Sequence, residues 1–455
     1  MPKLKLWLPF MLIAGVFLAI KLHSLSIRAS DTNIYWYTAK EILEGKTLYK
    51  DIFFTNFPII PYVASLYYLL SGGNLLFYYF TAALESVTTG AILYWIVVKQ
   101  SSSQLLAGCT AMLYLFSFML LSTSDHQTGV FLAALFVIAS YASFFQKKYI
   151  LMGVLTALAL LTKAYTLPLL LTYIVILFLE NRKALGKFLV AFSTSTFVVL
   201  LPSFLFAGKD LWHDVFAYSL TRSQGVSKIG IVWFALQHDF LLVGLLFLAI
   251  IMLKRQKTLG IFSLLSLLFF IFYKDIYYLY LNVTLPLICL VLPQAVTQLK
   301  KYVSINKFMV PTILLLFISY NLWTYLVHYT TLQNLPLSSL TTEISTIDPP
   351  VLYGVNGIAP ALAFLTRKPL LNSIVDTNDN IFRKGFLNAT SLTDSAIAQH
   401  ALVITEGVYY PEANIKQDIL TDIVNSKRLT SQCKLDRRFP FYSEGVINEI
   451  VFFRC

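Results

Sequence analysis

An aspartate at the end of the first long apolar stretch has the chemistry of a general base. Asp31 stands just past the apolar residues 7–22, where a spanning helix would reach the membrane surface. Sugar transfer to an acceptor needs one carboxylate, which takes a proton from the attacking hydroxyl or amine. Glycoside hydrolysis would need a pair of carboxyl groups. Position alone favours a simpler role, because an Asp before a helical run is a common N-cap. The two roles are compatible.

Composition shows what kind of chain must position this residue. The 455 residues are 57% hydrophobic and only 13% charged, whereas a soluble chain carries roughly 25% charged residues. Mean hydropathy is +0.69. These values exclude an ordinary soluble enzyme. The sequence has no Gly/Arg-rich or zinc-finger pattern, so the net charge of +12 does not indicate a nucleic-acid partner.

Apolar segments of near membrane-spanning length recur along the first 327 residues. A transmembrane helix needs about 20 apolar residues, and we keep the first segment as a span because no convincing cleavage site follows it. The fifth and sixth segments could also form one broken unit. The segments cover residues 7–22, 75–97, 103–122, 127–145, 149–163, 164–180, 186–206, 231–252, 258–273, 276–293 and 308–327. The sequence therefore predicts an α-helical polytopic membrane protein with about eleven transmembrane helices.

The distribution of charge predicts the orientation of these spans. Basic residues concentrate in cytoplasmic loops, which places the N-terminus in the cytoplasm. The short inner loops then carry Lys3, Lys5, Lys99, Lys147, Lys148, Arg182, Lys183, Lys187, Lys254, Arg255, Lys257, Lys300, Lys301 and Lys307. The outer loops carry Asp31, Glu41, Glu44, Asp51, Asp125, Asp210, Asp214, Asp239 and Asp275. An odd number of spans leaves the C-terminus outside a plasma membrane.

The first outer loop, residues 23–74, is more than a connector. Tyr35–Glu44 reads as an interfacial helix, because its aromatic residues suit the headgroup region. Gly45 reads as its C-cap. The apolar stretch opened by Pro58 and Pro61 is too short to span comfortably, which favours a re-entrant or surface-lying segment.

The tail, residues 328–455, changes composition and contains no membrane-length apolar run. The pattern predicts a small C-terminal α/β extracytoplasmic domain, separate from a transmembrane domain over residues 1–327. Predicted strands are Val351–Val355, Ala401–Thr405 and Val446–Phe453, and predicted helices are Ala361–Thr366 and Ile415–Lys427. Outside the cell, Cys433 and Cys455 could either form a disulfide or remain separate thiols.

Several short motifs, in this order and sidedness, resemble the GT-C membrane glycosyltransferases. Within that group the chain is similar to bacterial transferases related to protein O-mannosyltransferases and to the lipid A aminoarabinose transferase. The motifs are Asp31 with Tyr35 and Ala39, Gly45-x-x-Leu48-Tyr49-x-Asp51, Asn56-x-Pro58, Ser124-Asp125-His126, Leu161-Thr162-Lys163, Lys274 with Tyr278, Tyr280 and Pro286, and Tyr353-Gly354 followed by Ala363-Phe364-x-x-Arg367-Lys368-Pro369.

This resemblance implies a cell-envelope enzyme that transfers a hexosyl or pentosyl group from a polyprenyl-phosphate donor on the outer face, with inversion. Asp31 would be the base or would position the acceptor, which could be a glycan, a lipid or a protein. Asp51 and Asp125 would hold sugar hydroxyls or acceptor, although both could be solvated loop acids. Lys163 lies between apolar stretches, where a cation is costly, and would bind the lipid phosphate or snorkel to the interface.

Further candidates are less specific. Arg222 and Lys274 are cations suited to phosphate, although an exposed loop arginine is usually only solvated. Tyr278 could form a sugar platform or part of an interfacial aromatic belt. Glu85 lies inside the second span, where a buried acid is costly, and could serve function or pair with a nearby hydroxyl.

One departure and two alternatives qualify this interpretation. Many family members carry Glu where this chain has Thr32, so no role of that second acid is carried over. A divalent metal is left open, since His126 beside Asp125 could ligate one, but no spaced ligand set is present.

A secondary transporter would show charges and helix breaks near the midplane in paired halves. A lipid-linked glycan polymerase or ligase usually has a large basic loop late in the chain. The long loop of this chain, residues 207–230, holds few cations, which disfavours this alternative.

Overall fold

A computed structural model describes residues 2–222, 225–300, 308–330, 335–410, 415–419, 422–443 and 446–455. Lys301 and Lys307, used above for orientation, lie outside these ranges. The chain forms two compact units. Unit 1 contains Met1–Leu25, Phe80–Leu200 and Ser223–Val327, and unit 2 contains Ser26–Tyr79, Leu201–Arg222 and His328–Cys455.

Helices occupy most of the described chain up to Thr330. They are α1 Pro2–His23, α2 Asp31–Leu43, α3 Ile59–Ser71, α4 Leu75–Ser101, α5 Gln104–Leu115, α6 Phe118–Thr123, α7 Val130–Phe145, α8 Tyr149–Thr162, α9 Leu167–Glu180, α10 Arg182–Leu211, α11 Tyr218–Thr221, α12 Lys228–His238, α13 Phe240–Ile251, α14 Lys257–Phe272, α15 Leu285–Cys289, α16 Val291–Leu299 and α17 Met309–Thr330. Ala164–Thr166 and Tyr278–Val283 are 3₁₀ turns, and Trp212–Ala217 is a π-helix.

Every apolar segment found in the sequence is helical over most of its length, but the helices differ in how long they are. Within the described ranges, four are long and apolar enough to cross a membrane, namely Leu6–His23, Leu75–Ser101, Arg182–Thr221 and Met309–Val327. Helices α12 and α13 would add a fifth if their pair, bent by 107°, forms one broken span. The others are shorter; a 16-residue helix is only about 24 Å long. The count of eleven crossings stays a prediction.

A continuous apolar core holds unit 1 together. Helices α1, α4, α5, α7 and α8 supply residues that are almost completely buried, such as Phe17, Tyr94, Leu113, Ile138 and Met152. At Gly153 a side chain does not fit, since a Cβ atom would lie 2.5 Å from the Phe188 carbonyl oxygen. Helices α8 and α10 therefore approach closely at this glycine.

The bend between α12 and α13 places a carboxylate on another helix. Asp239, 1% exposed, accepts hydrogen bonds from the backbone N–H groups of Phe118 (2.9 Å) and Met119 (2.8 Å). These are two of the N–H groups that a helix start leaves without intrahelical acceptors. Asp239 thus caps α6. Because Asp239 lies at the bend between α12 and α13, this bend stabilises the break that divides segment 103–122 into α5 and α6.

The described part of the tail contains five helices and a five-stranded mixed sheet. The helices are α18 Leu337–Ile347, α19 Ala359–Thr366, α20 Asp379–Arg383, α21 Ala389–Ala398 and α22 Ser426–Gln432, and the strands are β1 Leu352–Gly354, β2 Leu402–Tyr410, β3 Ile415–Ile419, β4 Lys434–Ser443 and β5 Val446–Arg454. The strand order is β1-β2-β5-β4, with β3 also pairing β2. Only β1 runs parallel to its neighbour. A disulfide joins Cys433 and Cys455.

Three predicted strands and the first predicted helix of the tail are confirmed as β1, β2, β5 and α19. The helix predicted over Ile415–Lys427 is wrong where the chain is described, and residues 420 and 421 lie outside that part. Ile415–Ile419 is instead strand β3, because its backbone pairs with β2 from Glu406 to Tyr410. Pairing with a neighbouring strand has overridden the local helical pattern.

The chain passes from unit 1 to unit 2 at residues 327 and 328, where the tail begins, but unit 2 also includes the first outer loop and Leu201–Arg222. The expected interfacial role of helix α2 is also wrong. Tyr35, Trp36 and Tyr37 are at most 2% exposed. The Trp36 ring lies 4.8 Å from the Tyr68 ring, between centroids, and 6.1 Å from that of Phe364 in α19. These aromatics form core, not a headgroup belt.

Candidate functional site

Asp31 begins helix α2 and is open to solvent. Ser30, in extended conformation, is the N-cap, so Asp31 occupies the first helical position and not the cap itself. Asp31 is exposed, whereas the eight residues that follow it are all buried. An acid in a first turn interacts favourably with the helix dipole. The only exposed residue of this turn is therefore a carboxylate that a substrate could reach.

The turn that carries Asp31 is fixed by its neighbours. The Asn33 side-chain amide donates to the carbonyl oxygens of Arg28 (2.7 Å) and Gly357 (2.6 Å). A Cβ atom on Gly357 would lie 2.7 Å from the Ser30 nitrogen. The start of α2 thus packs directly on the backbone of the tail segment between β1 and α19.

A second carboxylate, Asp376, lies near Asp31. It is 7% exposed and accepts hydrogen bonds from the Thr55 hydroxyl (2.9 Å) and the Asn378 N–H (3.2 Å). Its pKa is raised from an ordinary 3.8 to about 6, mainly by burial and then by the Asp31 charge; Thr55, Asn378 N–H and the Arg222 charge oppose the rise. Sequence reasoning missed Asp376, because an Asp among turn-forming residues such as Thr377 and Asn378 carries no distinguishing signal.

Arg222 and Asp51, both in unit 2, have different surroundings. Arg222 follows α11, half-buried, with its guanidinium carbon 5.1 Å from the centre of the Tyr218 ring. Its charge is close enough to lower the pKa of Asp376. Asp51 is exposed and accepts a hydrogen bond from the Thr47 N–H at 2.8 Å. Asp51 therefore closes its own loop turn.

The other four sequence candidates belong to unit 1. Asp125 is buried in a polar network, where its carboxylate pairs with the Lys21 ammonium (2.7 Å). The hydroxyls of Ser24 and Tyr325 also donate to it, each at 3.0 Å. These partners come from α1, the residue after it, and α17. Asp125 therefore joins the first and last long helices of the unit.

Lys163 stands at a break between two helices. It ends α8 in an extended conformation and opens the 3₁₀ turn Ala164–Thr166. Lys163 as a whole is 8% exposed and is therefore buried. A lysine at this depth in an apolar unit is costly unless its charge is compensated, and its role in phosphate binding stays a prediction.

Lys274 and Tyr278 lie in the segment between α14 and α15. Lys274 is exposed, and its carbonyl oxygen accepts the Gly225 N–H at 3.1 Å. Tyr278 opens a 3₁₀ turn and its ring lies 5.1 Å from that of Phe234, between centroids. The Tyr278 ring is partly buried against the apolar core.

Glu85 is the buried acid that the sequence placed inside the second span. Gln127 donates from its side-chain amide to the Glu85 carboxylate (2.8 Å) and to the Thr81 hydroxyl (3.1 Å). The Thr88 hydroxyl donates to the Leu84 carbonyl oxygen within the same helix. Glu85 is thus one member of a polar group that ties α4 to the loop before α7.

Unit 1 also contains an apolar pocket of about 190 Å³. Side chains of α12, α13, α14 and α15 line most of it, with Lys228 and Asp239 as its charged members. Its walls suit hydrocarbon and offer few polar groups to a sugar. Among the described residues, no three His, Cys, Asp or Glu side chains lie close enough together to hold a metal ion.

Comparison with known proteins identifies the fold. No protein-family model matches the chain, and no curated protein sequence matches it. Among solved structures, it is similar to ArnT from Cupriavidus metallidurans, a lipid A aminoarabinose transferase, in the apo state, with 13% identity, TM-score 0.64 and 97% of each chain covered. It is equally similar to the same ArnT bound to undecaprenyl phosphate, with 13% identity, TM-score 0.63 and 97% of each chain covered. The chain therefore has the ArnT fold, and the resemblance to GT-C enzymes is confirmed at the level of fold.

Proposed function

We propose that this chain is a membrane glycosyltransferase that uses a polyprenyl-phosphate-linked sugar. The observation that carries the proposal is the likeness to ArnT over 97% of both chains, including the structure with undecaprenyl phosphate bound. The position of Asp31, exposed at the start of an otherwise buried helix, supports the same function. The protein would be a multi-pass plasma-membrane enzyme with a cytoplasmic N-terminus and the tail outside.

The reaction needs few groups from the protein. Asp31 accepts the proton of an acceptor hydroxyl or amine while that group attacks the anomeric carbon. A bond forms between the acceptor and the anomeric carbon, and the bond between this carbon and the phosphate oxygen breaks. Polyprenyl phosphate leaves with the electron pair of that bond, and the configuration of the sugar inverts.

The leaving phosphate gains negative charge, so a cation near it lowers the barrier. Lys163 is our first candidate for this role, because it is a buried lysine at a helix break. Arg222 and Lys274 are further candidates for phosphate contact, and Asp51, Asp125 and Tyr278 for contact with sugar or acceptor. The donor could carry a hexose or a pentose, and the acceptor could be a glycan, a lipid or a protein.

The test uses purified full-length protein in lipid vesicles. A panel of radiolabelled polyprenyl-phosphate sugars is supplied, with membrane extract as the source of acceptors. Transfer by the wild type should fall about 10²- to 10⁴-fold in Asp31→Asn, the range for loss of a general base. Glu44→Gln is the matched control, since it removes an exposed acid just past the other end of the same helix. It should leave transfer unchanged.

Two outcomes count against the proposal. If the wild type transfers sugar and Asp31→Asn matches it at equal thermal stability, Asp31 is not the base. If the wild type consumes no donor with any extract, glycosyl transfer itself is rejected and assays of substrate flux, for transport, come next. For the phosphate contact, Lys163→Gln should raise the KM for donor, whereas Lys148→Gln, at an exposed lysine, should not.

A further inference from the structure

The apolar pocket of unit 1 has no role in the proposed transfer. The lining residues Leu242, Ile276 and Leu285 are buried, whereas Val232 and Phe247 are exposed, so the pocket reaches the surface between apolar side chains. An exposed apolar surface of this kind on a membrane protein suits contact with lipid. An apolar cavity of about 150 Å³ accepts benzene. At about 190 Å³, this pocket has room for a short length of hydrocarbon chain.

The pocket follows two neighbouring helices. Helices α13 and α14 run antiparallel and close together, since a Cβ atom on Gly260 would lie 2.9 Å from the Ala249 carbonyl oxygen. The lining residues of α14 extend from Ser266 to Ile271. At 1.5 Å per residue they cover about 7.5 Å of the helix axis. The pocket is therefore elongated, and its Ile271 end can be distinguished from its Ser266 level.

A cation lies at the Ile271 end. The Lys228 ammonium donates to the Ile271 carbonyl oxygen, and an ammonium has further N–H groups for a second acceptor. Within the described part of the chain, no carboxylate forms an ion pair with Lys228. The other charged lining residue, Asp239, is bound by the two N–H groups at the start of α6. The Ile271 end of the pocket therefore suits an anionic lipid headgroup.

A buried hydroxyl lines the pocket at the Ser266 level. Ser266 is 1% exposed, and its hydroxyl has no hydrogen-bond partner among the described residues. Hydroxyls on other helices of this unit donate to the carbonyl oxygen four residues earlier, as those of Thr156 (2.8 Å) and Thr172 (2.7 Å) do. A buried donor without an acceptor costs free energy. An occupant that brings an acceptor to Ser266 would remove this cost.

These three features together describe one class of ligand. It has a hydrocarbon chain for the pocket, an anionic group for Lys228, and a hydrogen-bond acceptor between them for Ser266. A diacyl phospholipid has all three, because an ester carbonyl joins each acyl chain to the glycerol phosphate. A polyprenyl phosphate lacks the ester, since its chain is joined directly to the phosphate.

We propose that the pocket binds an anionic diacyl phospholipid of the bilayer. Part of one acyl chain fills the pocket, the Ser266 hydroxyl donates to an ester carbonyl, and Lys228 binds the phosphate. The lipid would join α12, α13 and α14 and so stabilise unit 1. This inference does not depend on the proposed sugar transfer.

The test measures Tm of the full-length protein in detergent while phosphatidylglycerol is added. A ligand that binds only the folded state raises Tm with concentration, which gives an apparent Kd. Phosphatidylcholine with the same acyl chains should give a smaller rise. Lys228→Gln should weaken phosphatidylglycerol binding about tenfold, the effect of losing a hydrogen bond to a charged group. Lys254→Gln is the matched control, since it removes an exposed lysine at the other end of the α13–α14 pair, and it should not change binding.

A second pair of lipids tests the ester contact. Ser266→Ala should leave Tm without added lipid unchanged or slightly higher, because the hydroxyl has no partner there. It should weaken binding of diacyl phosphatidylglycerol about threefold. Diether phosphatidylglycerol has no ester carbonyl, so it should bind the wild type and Ser266→Ala equally.

Three results would overturn the inference. The first is an equal rise in Tm with phosphatidylcholine and phosphatidylglycerol that Lys228→Gln leaves unchanged. The second is a loss of binding in Ser266→Ala that is the same for the diacyl and diether lipids. The third is a rise in Tm with undecaprenyl phosphate and none with phosphatidylglycerol, which would assign the pocket to a polyprenyl chain.

Discussion

The Lys21 ammonium and the Asp125 carboxylate form an ion pair with 2.7 Å between Nζ and Oδ1, and both side chains are shielded from solvent. The Tyr325 hydroxyl donates to both oxygens of the same carboxylate. Buried pairs of this kind are costly to break, because the remaining charge has no compensation. Asp125 therefore has a structural role. Any contact with substrate would be made by a carboxylate that already binds Lys21 and Tyr325.

Replacement of Lys21 by Met should therefore destabilise the protein strongly. We expect a loss of about 3 to 5 kcal/mol in the free energy of unfolding, because Asp125 is left buried without its cation. Thermal unfolding in detergent measures the change. Ser24→Ala, which removes only one hydrogen bond to the same carboxylate, should cost about 1 kcal/mol.

Combining Lys21→Met with Asp125→Asn should restore part of the lost stability, since the double variant buries no lone charge. Equal stability of Lys21→Met and the wild type would show that the pair contributes nothing. Asp125→Asn that loses transfer without any change in Tm would instead favour the proposed contact with substrate.

The cap that Asp239 places on α6 gives a second prediction. Asp239→Ala removes the acceptor of two backbone N–H groups at a buried helix start. We expect a loss of about 2 kcal/mol. Asp239→Asn keeps one acceptor oxygen and should lose less. The measurement is again Tm in detergent, and an alanine variant as stable as the wild type would contradict the role of the cap.

The packing of α2 on the tail can be tested with two glycines that have similar φ angles. Gly357 has a φ of +74° and Gly385 a φ of +76°, so alanine strains both alike. A Cβ on Gly357 would lie 2.7 Å from the Ser30 backbone nitrogen, whereas one on Gly385 meets nothing within 4 Å. Gly385→Ala should therefore cost about 1 kcal/mol.

Gly357→Ala should cost clearly more, because backbone atoms must move to make room. It should also reduce transfer, since the turn that carries Asp31 must shift with Ser30. The two variants are compared by Tm and by initial rate. Similar losses in both would mean that the close approach at Gly357 is not important.

The raised pKa of Asp376 predicts how stability depends on pH. Its pKa is 3.8 when unperturbed and about 6 in the folded protein, so the folded state holds this proton more tightly. The contribution of this tighter proton binding to the free energy of unfolding is fully present below pH 3.8 and is lost as pH rises through about 6. The total is about 3 kcal/mol.

Asp376→Asn carries no titrating group at this position. The Tm difference between variant and wild type should therefore shift in favour of the variant between pH 4 and pH 6, and then level off. A difference that is constant from pH 4 to pH 8 would show that Asp376 has an ordinary pKa.

Apolar patterning predicted the helices well and the polar contacts poorly. Segment boundaries such as 75–97 and 149–163 agree with α4 and α8 within a few residues, because composition alone distinguishes apolar helices from polar loops. The cap of α6 by Asp239 links residues 120 or more positions apart. No local pattern reports such a contact.

The candidate site was predictable to a similar extent. Asp31 was found because its position after an apolar stretch is visible in the sequence, although its assignment as the cap was one residue off. Asp376 depends on Thr55, which lies 321 residues away, and was missed. Trp36 was misread as interfacial because aromatic residues suit both a membrane surface and a protein core.

Unit 2 is assembled from three separated stretches of chain, and this affects how the protein is made. The hydrogen bond from Asn33 to Gly357 cannot form until Gly357, 324 residues later in the chain, has been synthesised. At a synthesis rate of about 5–20 residues per second the delay is roughly 16 to 65 s. During that interval the aromatic face of α2 lacks its partner from the tail. Synthesis therefore includes a period in which the first outer loop exists without the tail residues that complete its packing.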